Sequence, residues 1–296
     1  MLPLLAFDPR GDVANFSPPA PRAAARESRS AGLPDRVADR RPTPISATIL
    51  TKNSERLLAQ VLAALAWCDD VVVLDTGSTD GTAALARTFA NVRYFELRGG
   101  FPGFGRAHQQ AVGLARHDWI LSVDSDEVVS PEAAAEIRAL ALHPDTVYSV
   151  PFQNYFNGTH ITTCGWSPDR HERLFNRRVT NFCASDVHER VQTRALAVVR
   201  LRHPILHYSY QTTEDFLIKM PTYARLFAEQ NTGRKQAGPA KAVARAAWAF
   251  FKSYLLERGF RQGTAGLTIS AYKSQVVFWK YLLLREANDR AAARPQ

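Results

Sequence analysis

Short apolar runs alternate with helix-like stretches between residues 45 and 142. The apolar runs, bounded by polar or glycine-rich turns, predict strands that start at residue 45 and that span 70–75, 92–96 and 119–123. The intervening stretches predict helices that end near residues 65, 89, 116 and 142. Strands that alternate with helices form a mostly parallel sheet, in which ligand groups gather at the carboxyl ends of the strands. The predicted fold class is therefore α/β.

The chain outside this pattern adds a region at each end. Residues 1–44 are rich in proline, alanine and arginine and show no periodicity, which predicts a flexible arm outside the fold. Residues 45–218 form the predicted α/β domain, which continues after residue 146 with strand-like pieces between polar loops. Residues 219–296 have the pattern of helices, broken at 231–239 and 259–266.

Composition and charge narrow the class of protein. With 296 residues, of which 46% are hydrophobic, the chain can bury a sizeable core, which excludes a fibrous or fully disordered protein. The formal net charge of +9 indicates an anionic partner. The excess lies mainly in residues 219–296, which hold 14 basic and four acidic residues, whereas residues 45–218 hold 16 and 19. No recognisable nucleic-acid-binding module accompanies it, so nucleic acid is not the expected partner.

Two absences bear on location. No apolar run reaches the roughly 18 residues of a spanning helix, and the first residues lack the cationic region of a secretory signal. The three cysteines are odd in number and without the spacing of a zinc site or a disulfide framework. We therefore expect a reducing, cytoplasmic setting.

Acidic residues follow the predicted strand 119–123 directly. Asp124, Asp126 and Glu127 occupy the turn, and in a strand-to-loop turn Asp124 and Asp126 point the same way. Their oxygens suit a hard divalent cation, Mg²⁺ or Mn²⁺. The alternative is that these acids cap the next helix, with Glu127 and Glu132 available for that purpose.

The strand 70–75 also ends on a carboxylate, in the segment Leu-Asp-Thr-Gly-Ser-Thr-Asp-Gly-Thr that begins at Leu74. Asp75 can accept hydrogen bonds from a nucleobase or ribose, and the glycines permit close backbone approach. The Asp-Thr-Gly-Ser sequence is also found in the active loop of aspartic proteases, but those require an all-β setting. A plain strand-turn-helix connection is the remaining alternative.

The ordered set of motifs resembles the inverting family 2 glycosyltransferases of the GT-A fold, and within them the WaaE-like lipopolysaccharide-core glucosyltransferases. The opening segment ISATILTKN, the loop LDTGSTDGT and the segment SVDSDE carry the first resemblance. The second rests on Trp-Ser-Pro-Asp with Arg-Leu-Phe at 166–175, Val-His-Glu-Arg-Val at 187–191 and His-Tyr-Ser-Tyr at 207–210. The resemblance covers roughly residues 45–285.

The resemblance implies a nucleotide-sugar site and a metal site. Thr51, Glu55 and Asp75 would face the uracil and ribose of a UDP-sugar. Independently of the resemblance, the guanidinium group of Arg173 suits a phosphate of the donor or of a phosphorylated acceptor. Asp124 would lie near the ribose and the metal. Asp126 and His207 would ligate the Mg²⁺ or Mn²⁺ ion that bridges the two phosphates. For His207 the alternative is a histidine packed in the core.

The resemblance also implies a catalytic base. Glu189 corresponds to that position, although many family 2 enzymes have an aspartate there within a Glu-Asp pair, whereas this chain has His188-Glu189. A carboxylate on the face opposite the leaving group can remove the acceptor's proton during a single in-line displacement, which inverts the anomeric carbon. A surface glutamate is the alternative.

The expected activity is transfer of a hexose, with glucose favoured, from a UDP-sugar to the lipopolysaccharide inner core at the cytoplasmic face of the inner membrane. The alternatives are another surface glycan or lipid-linked acceptor with another nucleotide sugar, a sugar-nucleotide pyrophosphorylase, and a non-catalytic adaptor at the membrane surface. A pyrophosphorylase would usually carry a glycine-rich basic loop after the first strand, which this sequence lacks.

Residues in the second half have further candidate roles. Lys241, Arg245 and Lys252 fall on one helical stripe, with apolar residues roughly opposite and Trp248 near the boundary. This pattern is typical of a helix at an anionic membrane surface, but equally of a helix packed on the preceding domain. Arg170, Arg177 and Arg178 are candidate phosphate-binding residues, with a solvated basic loop as the equal alternative for Arg177 and Arg178. Trp166 is a candidate for stacking on a sugar ring and equally for a core position.

Overall fold

The computed structural model describes residues 43–184 and 190–293. The strands are β1 (Ile45–Thr51), β2 (Asp70–Asp75), β3 (Val92–Glu96), β4 (Trp119–Asp124), β5 (Glu127–Val129), β6 (Thr146–Phe156), β7 (Thr159–His160), β8 (Asp169–Asn176), β9 (Ala197–Arg200) and β10 (Ile205–Tyr210). The α-helices are α1 (Glu55–Ala64), α2 (Thr82–Ala86), α3 (Phe104–Leu114), α4 (Pro131–Ala139), α5 (Thr213–Asn231), α6 (Pro239–Phe251) and α7 (Gly263–Ala292).

The ten strands of the described residues form one sheet in the order β3-β2-β1-β4-β8-β6-β10-β5, with β7 and β9 paired to β6. The strands β3, β2, β1 and β4 are parallel, as the sequence predicts. From β8 onward the sheet is mixed, because β8 runs antiparallel to both β4 and β6. The predicted α/β fold with flanking helices is confirmed, and its parallel part is the first half of the sheet.

Helices cover both faces of the parallel strands. On one face Ile49 and Val73 join a core cluster with Leu58 and Leu62 of α1 and Ile137 of α4. On the other, alternate residues of the same strands pack against α3. Every residue of β1 and β2 is buried, which fits the continuous apolar run inside β2 and the small polar residues, serine and threonine, between the apolar ones in β1.

The C-terminal helices are attached to the sheet through an aromatic cluster. The ring of Phe216 in α5 lies 4.2 Å from that of Tyr210 in β10 and 4.2 Å from that of Tyr272 in α7. Helix α5 starts with a capping box between Thr212 and Asp215. The predicted boundary between residues 218 and 219 therefore falls inside a helix that packs against the domain before it. The predicted arm, residues 1–44, lies almost wholly outside the described residues.

Helix α6 packs on α7 through small residues rather than through its aromatic ones. Ala242 and Ala249 are fully buried against Val277 and Tyr281. The chain then makes a π-helical turn over 252–256 and a 3₁₀ turn over 259–262 before α7. None of the helices in the described part of the chain is long and apolar enough to cross a membrane.

The entry into α7 depends on the absence of a side chain at Gly266. A Cβ there would lie 1.9 Å from the main-chain oxygen of Gly259, which no side-chain movement relieves. We predict that Gly266→Ala lowers the free energy of unfolding by about 2 kcal/mol through overpacking, as measured by urea denaturation.

Gly113 provides the matched control, because it is also helical but a Cβ there would meet nothing within 4 Å. Gly113→Ala should leave stability unchanged or raise it by about 0.5–1 kcal/mol, since alanine is the better helix former. Equal effects of the two substitutions would contradict the close contact at Gly266.

Candidate active site

The carboxyl ends of three parallel strands bring the predicted residues to one edge of the sheet. In the register of β1 and β2, Thr51 pairs with Asp75, and in that of β1 and β4, Leu50 pairs with Asp124. Thr51, Asp75 and Asp124 thus end neighbouring strands. The sequence predicts this arrangement from the parallel order alone.

Strand β5 brings His207 to the acidic turn. It pairs antiparallel with β10 so that His207 lies opposite Glu127, and the Tyr208 main-chain N–H donates to the oxygen of Asp126 over 2.9 Å. The His207 Nε2 atom lies 3.7 Å from Asp126 Oδ1. Two residues about 80 positions apart in the sequence therefore meet, as the resemblance implies.

Hydrogen bonds fix the orientation of the His207 ring. Its Nδ1 lies 2.8 Å from Asn154 Oδ1, and the amide group of Asn154 is itself oriented because its nitrogen donates to Asp169 Oδ2 and to the oxygen of Trp166. The Nδ1–H therefore donates to Asn154, and Nε2 carries the lone pair that can accept a proton or bind a metal. Burial lowers the pKa of His207, which favours this neutral form. The hydroxyl of Ser209 lies 2.9 Å from Nε2.

Arg173 of β8 lies between two carboxylates of the acidic segment. Its guanidinium donates to Asp124 Oδ2 over 3.1 Å and to Glu127 Oε1. Glu127 is 1% exposed, and its other oxygen accepts from the Asp124 main-chain N–H. Burial raises the pKa of Glu127 well above its usual range despite the nearby Arg173. For Asp124 burial also raises the pKa and is the largest single effect, but the charge and hydrogen bond of Arg173 together with the nearby His108 and His207 outweigh it. The net shift of the Asp124 pKa is downward, so Asp124 is the ionised partner.

The Asp124 side chain retains one acceptor for a further ligand. Its Oδ1 is buried and has no hydrogen-bond partner among the described residues. A buried carboxylate oxygen without a donor is costly unless something binds it. Together with Asp126 and His207 it offers oxygen and imidazole donors that fit Mg²⁺ or Mn²⁺. No three His, Cys, Asp or Glu side chains in the described ranges converge as a complete metal group on their own.

The alternative that the acidic residues cap the next helix is wrong for Glu127. Glu127 lies in strand β5, and the cap of α4 is Ser130, whose hydroxyl accepts from the Ala133 main-chain N–H over 3.1 Å. Pro131, at the first position of α4, is also favoured at a helix start.

Asp75 organises the loop that follows β2. One of its oxygens accepts from the main-chain N–H groups of Gly77 and Ser78, each over 2.8 Å, and the other accepts from the Tyr94 hydroxyl over 2.6 Å. Desolvation and the Asp75 carboxylate raise the pKa of Tyr94. Asp75 is buried, so it supports the floor of the loop, and its contact with a nucleotide remains a prediction.

The N-terminus of α1 is attached to both neighbouring loops. Glu55 Oε2 accepts from the Gly81 N–H over 2.9 Å. The hydroxyl of Ser54, the residue before α1, makes no capping bond and instead contacts the Ser125 hydroxyl over 2.8 Å. The hydroxyl oxygen of Thr51 is buried with no partner in the described part of the chain. Residues 51–55 thus connect the Asp75 loop to the acidic turn.

A cleft of about 670 Å³ opens beside this connection. Glu55 and Asp126 lie on its wall, and across from α1 it is lined by Tyr208, Ser209 and Lys219. The full lining is Asn53, Ser54, Glu55, Arg56, Leu57, Asp80, Ser125, Asp126, Tyr208, Ser209, Gln211, Asp215 and Lys219. Its volume suits a ligand of nucleotide size.

Lys219 is a site residue that the sequence reasoning missed. Its ammonium group donates to the oxygen of Ser209 over 2.6 Å, and burial lowers its pKa while the charge of Asp126 raises it. The sequence signal was a lysine early in the helix that follows His-Tyr-Ser-Tyr. Only the tertiary packing of α5 places this lysine at the cleft.

A small cavity of about 60 Å³ lies on the other side of the acidic segment. Asp124, Arg173 and His207 line it together with Arg190 and Val191. The predicted base, Glu189, precedes Arg190 directly and lies outside the described residues. Its role stays a prediction.

The other candidate arginines and the tryptophan have structural partners. Arg170 donates to the main-chain oxygens of Ser149 and Leu201, and Arg177 and Arg178 both contact Asp118. Trp166 is buried, with its ring stacked 5.8 Å from that of Tyr210. Of the two alternatives for Trp166, the structure supports the core residue.

The fold is an α/β sheet, and the site at the carboxyl ends of its parallel strands holds two aspartates and a histidine. Together they define an enzyme. A family model described as "Glycosyl transferase family 2" matches residues 46–201. The chain belongs to this family and is a glycosyltransferase, which excludes the pyrophosphorylase alternative. The predicted family and enzyme class are confirmed.

The relatives with curated descriptions have low sequence identity to this chain, but the matches extend over most of its length. The lipopolysaccharide core biosynthesis glycosyltransferase LpsC of Rhizobium meliloti is 25% identical over 63% of this chain and 71% of its own. An uncharacterized glycosyltransferase of Rickettsia conorii is 25% identical over 82% of this chain and 90% of its own. Among solved structures, TarS of S. aureus in complex with UDP-GlcNAc has a TM-score of 0.40 and 18% identity, covering 84% of this chain and 92% of that one.

Removal of Arg173 should leave two buried carboxylates without compensation. We predict that Arg173→Met lowers the free energy of unfolding by about 3–5 kcal/mol near neutral pH. A carboxyl group with a raised pKa binds its proton more tightly in the folded state, so stability falls as pH rises through that pKa. Loss of Arg173 raises the pKa of Glu127 further. The loss of stability that Arg173→Met causes, measured by urea denaturation, should therefore be smaller at pH 5 than at pH 8.

Arg178→Met is the control, because that side chain is 73% exposed and its ion pair is with a surface aspartate, Asp118. Its effect should stay within about 1 kcal/mol at both pH values. A deficit for Arg173→Met that is equally small, or that grows as the pH falls, would contradict the role of Arg173.

Proposed function

We propose that this glycosyltransferase is an inverting, metal-dependent hexosyltransferase that moves glucose from a UDP-sugar to a lipopolysaccharide inner-core acceptor. One observation carries the proposal: His207 Nε2 lies 3.7 Å from Asp126 Oδ1, next to Asp124 with its unpartnered buried oxygen. Support for the acceptor class comes from the match to LpsC, a lipopolysaccharide core enzyme, and from the motifs at 166–175, 187–191 and 207–210.

Asp126, His207 and Asp124 are the residues that would hold Mg²⁺ or Mn²⁺. Such ions commonly take one or two carboxylates from the protein and further oxygens from substrate phosphates and water, so a complete protein cage is not required. When bound, the ion would supply positive charge that stabilises the diphosphate leaving group. Asn154 holds the His207 ring so that Nε2 faces Asp126, which prepares the ligand pair in advance.

The nucleotide would lie against the loops after β1 and β2. In this proposal the hydroxyl of Thr51, which has no partner in the described part of the chain, and the exposed carboxylate of Glu55 at the cleft contact the nucleotide. Asp75 contributes indirectly, because its hydrogen bonds hold the shape of the loop. The Arg173 guanidinium helps to keep Asp124 ionised and lines the small cavity rather than the cleft, so a contact with phosphate would be made from that side. Lys219, on the opposite wall of the cleft, adds a cation for phosphate oxygens.

Glu189 is the proposed base. Its neighbours Arg190 and Val191 line the small cavity that also contains Asp124 and His207. The Glu189 carboxylate would take the proton of the acceptor hydroxyl as that oxygen attacks the anomeric carbon and the bond to the diphosphate breaks. A single displacement of this kind inverts the anomeric configuration.

The proposed acceptor implies where in the cell the enzyme acts. Lipopolysaccharide core is assembled on a lipid at the cytoplasmic face of the inner membrane, so we propose that the enzyme acts there as a peripheral protein in the cytoplasm. The strongly basic C-terminal region, residues 219–296, supports this with its 14 basic and four acidic residues.

The donor can be identified by turnover. Purified full-length protein, incubated with a panel of nucleotide sugars and Mn²⁺, should release UDP from UDP-glucose above all others. The release should fall to background with EDTA and return when Mn²⁺ is added in excess. Metal-independent turnover, or turnover of a non-uridine donor alone, would overturn the proposal.

The base is tested separately from binding. Glu189→Gln should lower kcat by about 10²–10⁴ fold, because it removes general-base catalysis, while the Kd for UDP with Mn²⁺ stays within about two-fold. The matched control is Glu172→Gln, a glutamate of β8 that lines the small cavity with Arg190 and should keep near-normal kcat. Near-normal turnover of Glu189→Gln would instead direct attention to His188.

A further inference from the structure

The C-terminal helices carry an exposed apolar stripe. Trp248, Phe251 and Leu255 follow at helical spacing along α6 and the π-helical turn, and they are 51%, 42% and 47% exposed. The rings of Trp248 and Phe251 stack 5.6 Å apart. We call these three residues the α6 stripe. The face of α6 that packs on α7 consists of the buried alanines, so the α6 stripe has no role in that packing.

Cations are frequent in the sequence on both sides of the α6 stripe, and anions are nearly absent. Between residues 232 and 280 the chain holds nine lysines and arginines and a single acidic residue, Glu257. Two of the nine, Lys273 and Lys280, are buried, and the other seven reach the surface. Glu257 is itself engaged, because its carboxylate lies 3.7 Å from Lys252 Nζ and 3.2 Å from Lys273 Nζ. Where a lysine such as Lys241 donates to a main-chain oxygen, it keeps its charge. The field at this surface is therefore strongly positive.

The surface is fixed to the body of the enzyme. The Cys164 main-chain N–H donates to the oxygen of Glu257 over 3.0 Å, and Lys273 of α7 donates to the oxygen of Cys164. A Cβ on Gly165 would lie 2.7 Å from the Glu257 carboxylate, so the chain after β7 fits closely against the turn. The α6 stripe thus keeps a set orientation relative to the sheet.

We propose that the α6 stripe docks this protein onto an anionic lipid bilayer, with Trp248 and Phe251 inserted at the level of the headgroups. Tryptophan and phenylalanine beside lysine and arginine are the composition of helices that lie in the membrane interface. A second copy of this chain is a poorer occupant, because it would present the same positive field. This inference rests on the peripheral location proposed above and names the surface responsible for it. Its failure would leave the catalytic proposal intact, because donor turnover is measured without a membrane.

The test is vesicle sedimentation of the full chain. Wild-type protein should bind vesicles of phosphatidylglycerol and phosphatidylethanolamine but not vesicles of phosphatidylcholine, and 1 M NaCl should weaken the binding. The double variant Trp248→Ser/Phe251→Ser should bind the anionic vesicles at least ten-fold more weakly. Equal binding by the variant, or equal binding to both kinds of vesicle, would overturn the proposal.

Val198 and Val199 provide the matched control. They are 45% and 43% exposed on β9, away from the C-terminal helices, and Val198→Ser/Val199→Ser should bind vesicles like the wild type. Circular dichroism and thermal unfolding check that both double variants fold. As a second readout, brominated lipids should quench wild-type tryptophan fluorescence more than that of Trp248→Phe. Self-association or DNA binding that depends on the α6 stripe, without vesicle binding, would contradict a lipid partner.

Discussion

The site depends on the positive charge of Arg173, which compensates the buried carboxyl groups beside it. Asp124 and Glu127 are both withdrawn from water at the end of β4, and two neighbouring carboxylates would not stay there without a cation. Arg173 stabilises both, and the difference in their surroundings separates their pKa values. The acidic turn therefore remains ionised at Asp124, where a divalent cation would need a negative ligand.

The second half of the sheet positions this compensation. Strand β8 runs antiparallel between β4 and β6 and carries Arg173 to the turn, while β10 pairs with β5 and carries His207. The C-terminal helices then pack on the end of β10 through Tyr210 and Phe216. A single folded body thus links the acidic turn, the cleft lined by Lys219 and the exposed α6 stripe.

Local pattern was enough to predict the first half of the fold. Strands β1, β2 and β4 are buried on both faces, so their apolar runs and their terminal residues Thr51, Asp75 and Asp124 are visible in the sequence. Half of the residues of β8 are charged, and its conformation depends on hydrogen bonds to the two neighbouring strands. The local sequence pattern therefore could not reveal it. For the same reason only the family resemblance pointed to His207, since no local pattern places it beside Asp126, and Lys219 went unnoticed. Serine is a favoured residue at a helix N-cap, yet the hydroxyl of Ser54 contacts Ser125, a residue 71 positions away, instead of capping α1.

The central claim is that Asp126 and His207 hold a divalent cation together with the nucleotide. Electron paramagnetic resonance of Mn²⁺ tests it directly, because the signal of the free ion falls as the ion binds. With UDP present, the wild-type protein should bind one ion per chain, and Asp126→Asn and His207→Ala should each weaken binding about ten-fold or more. His203→Ala, whose imidazole lies 3.0 Å from Glu136, should bind like the wild type. Wild-type affinity in the Asp126 and His207 variants would contradict the account.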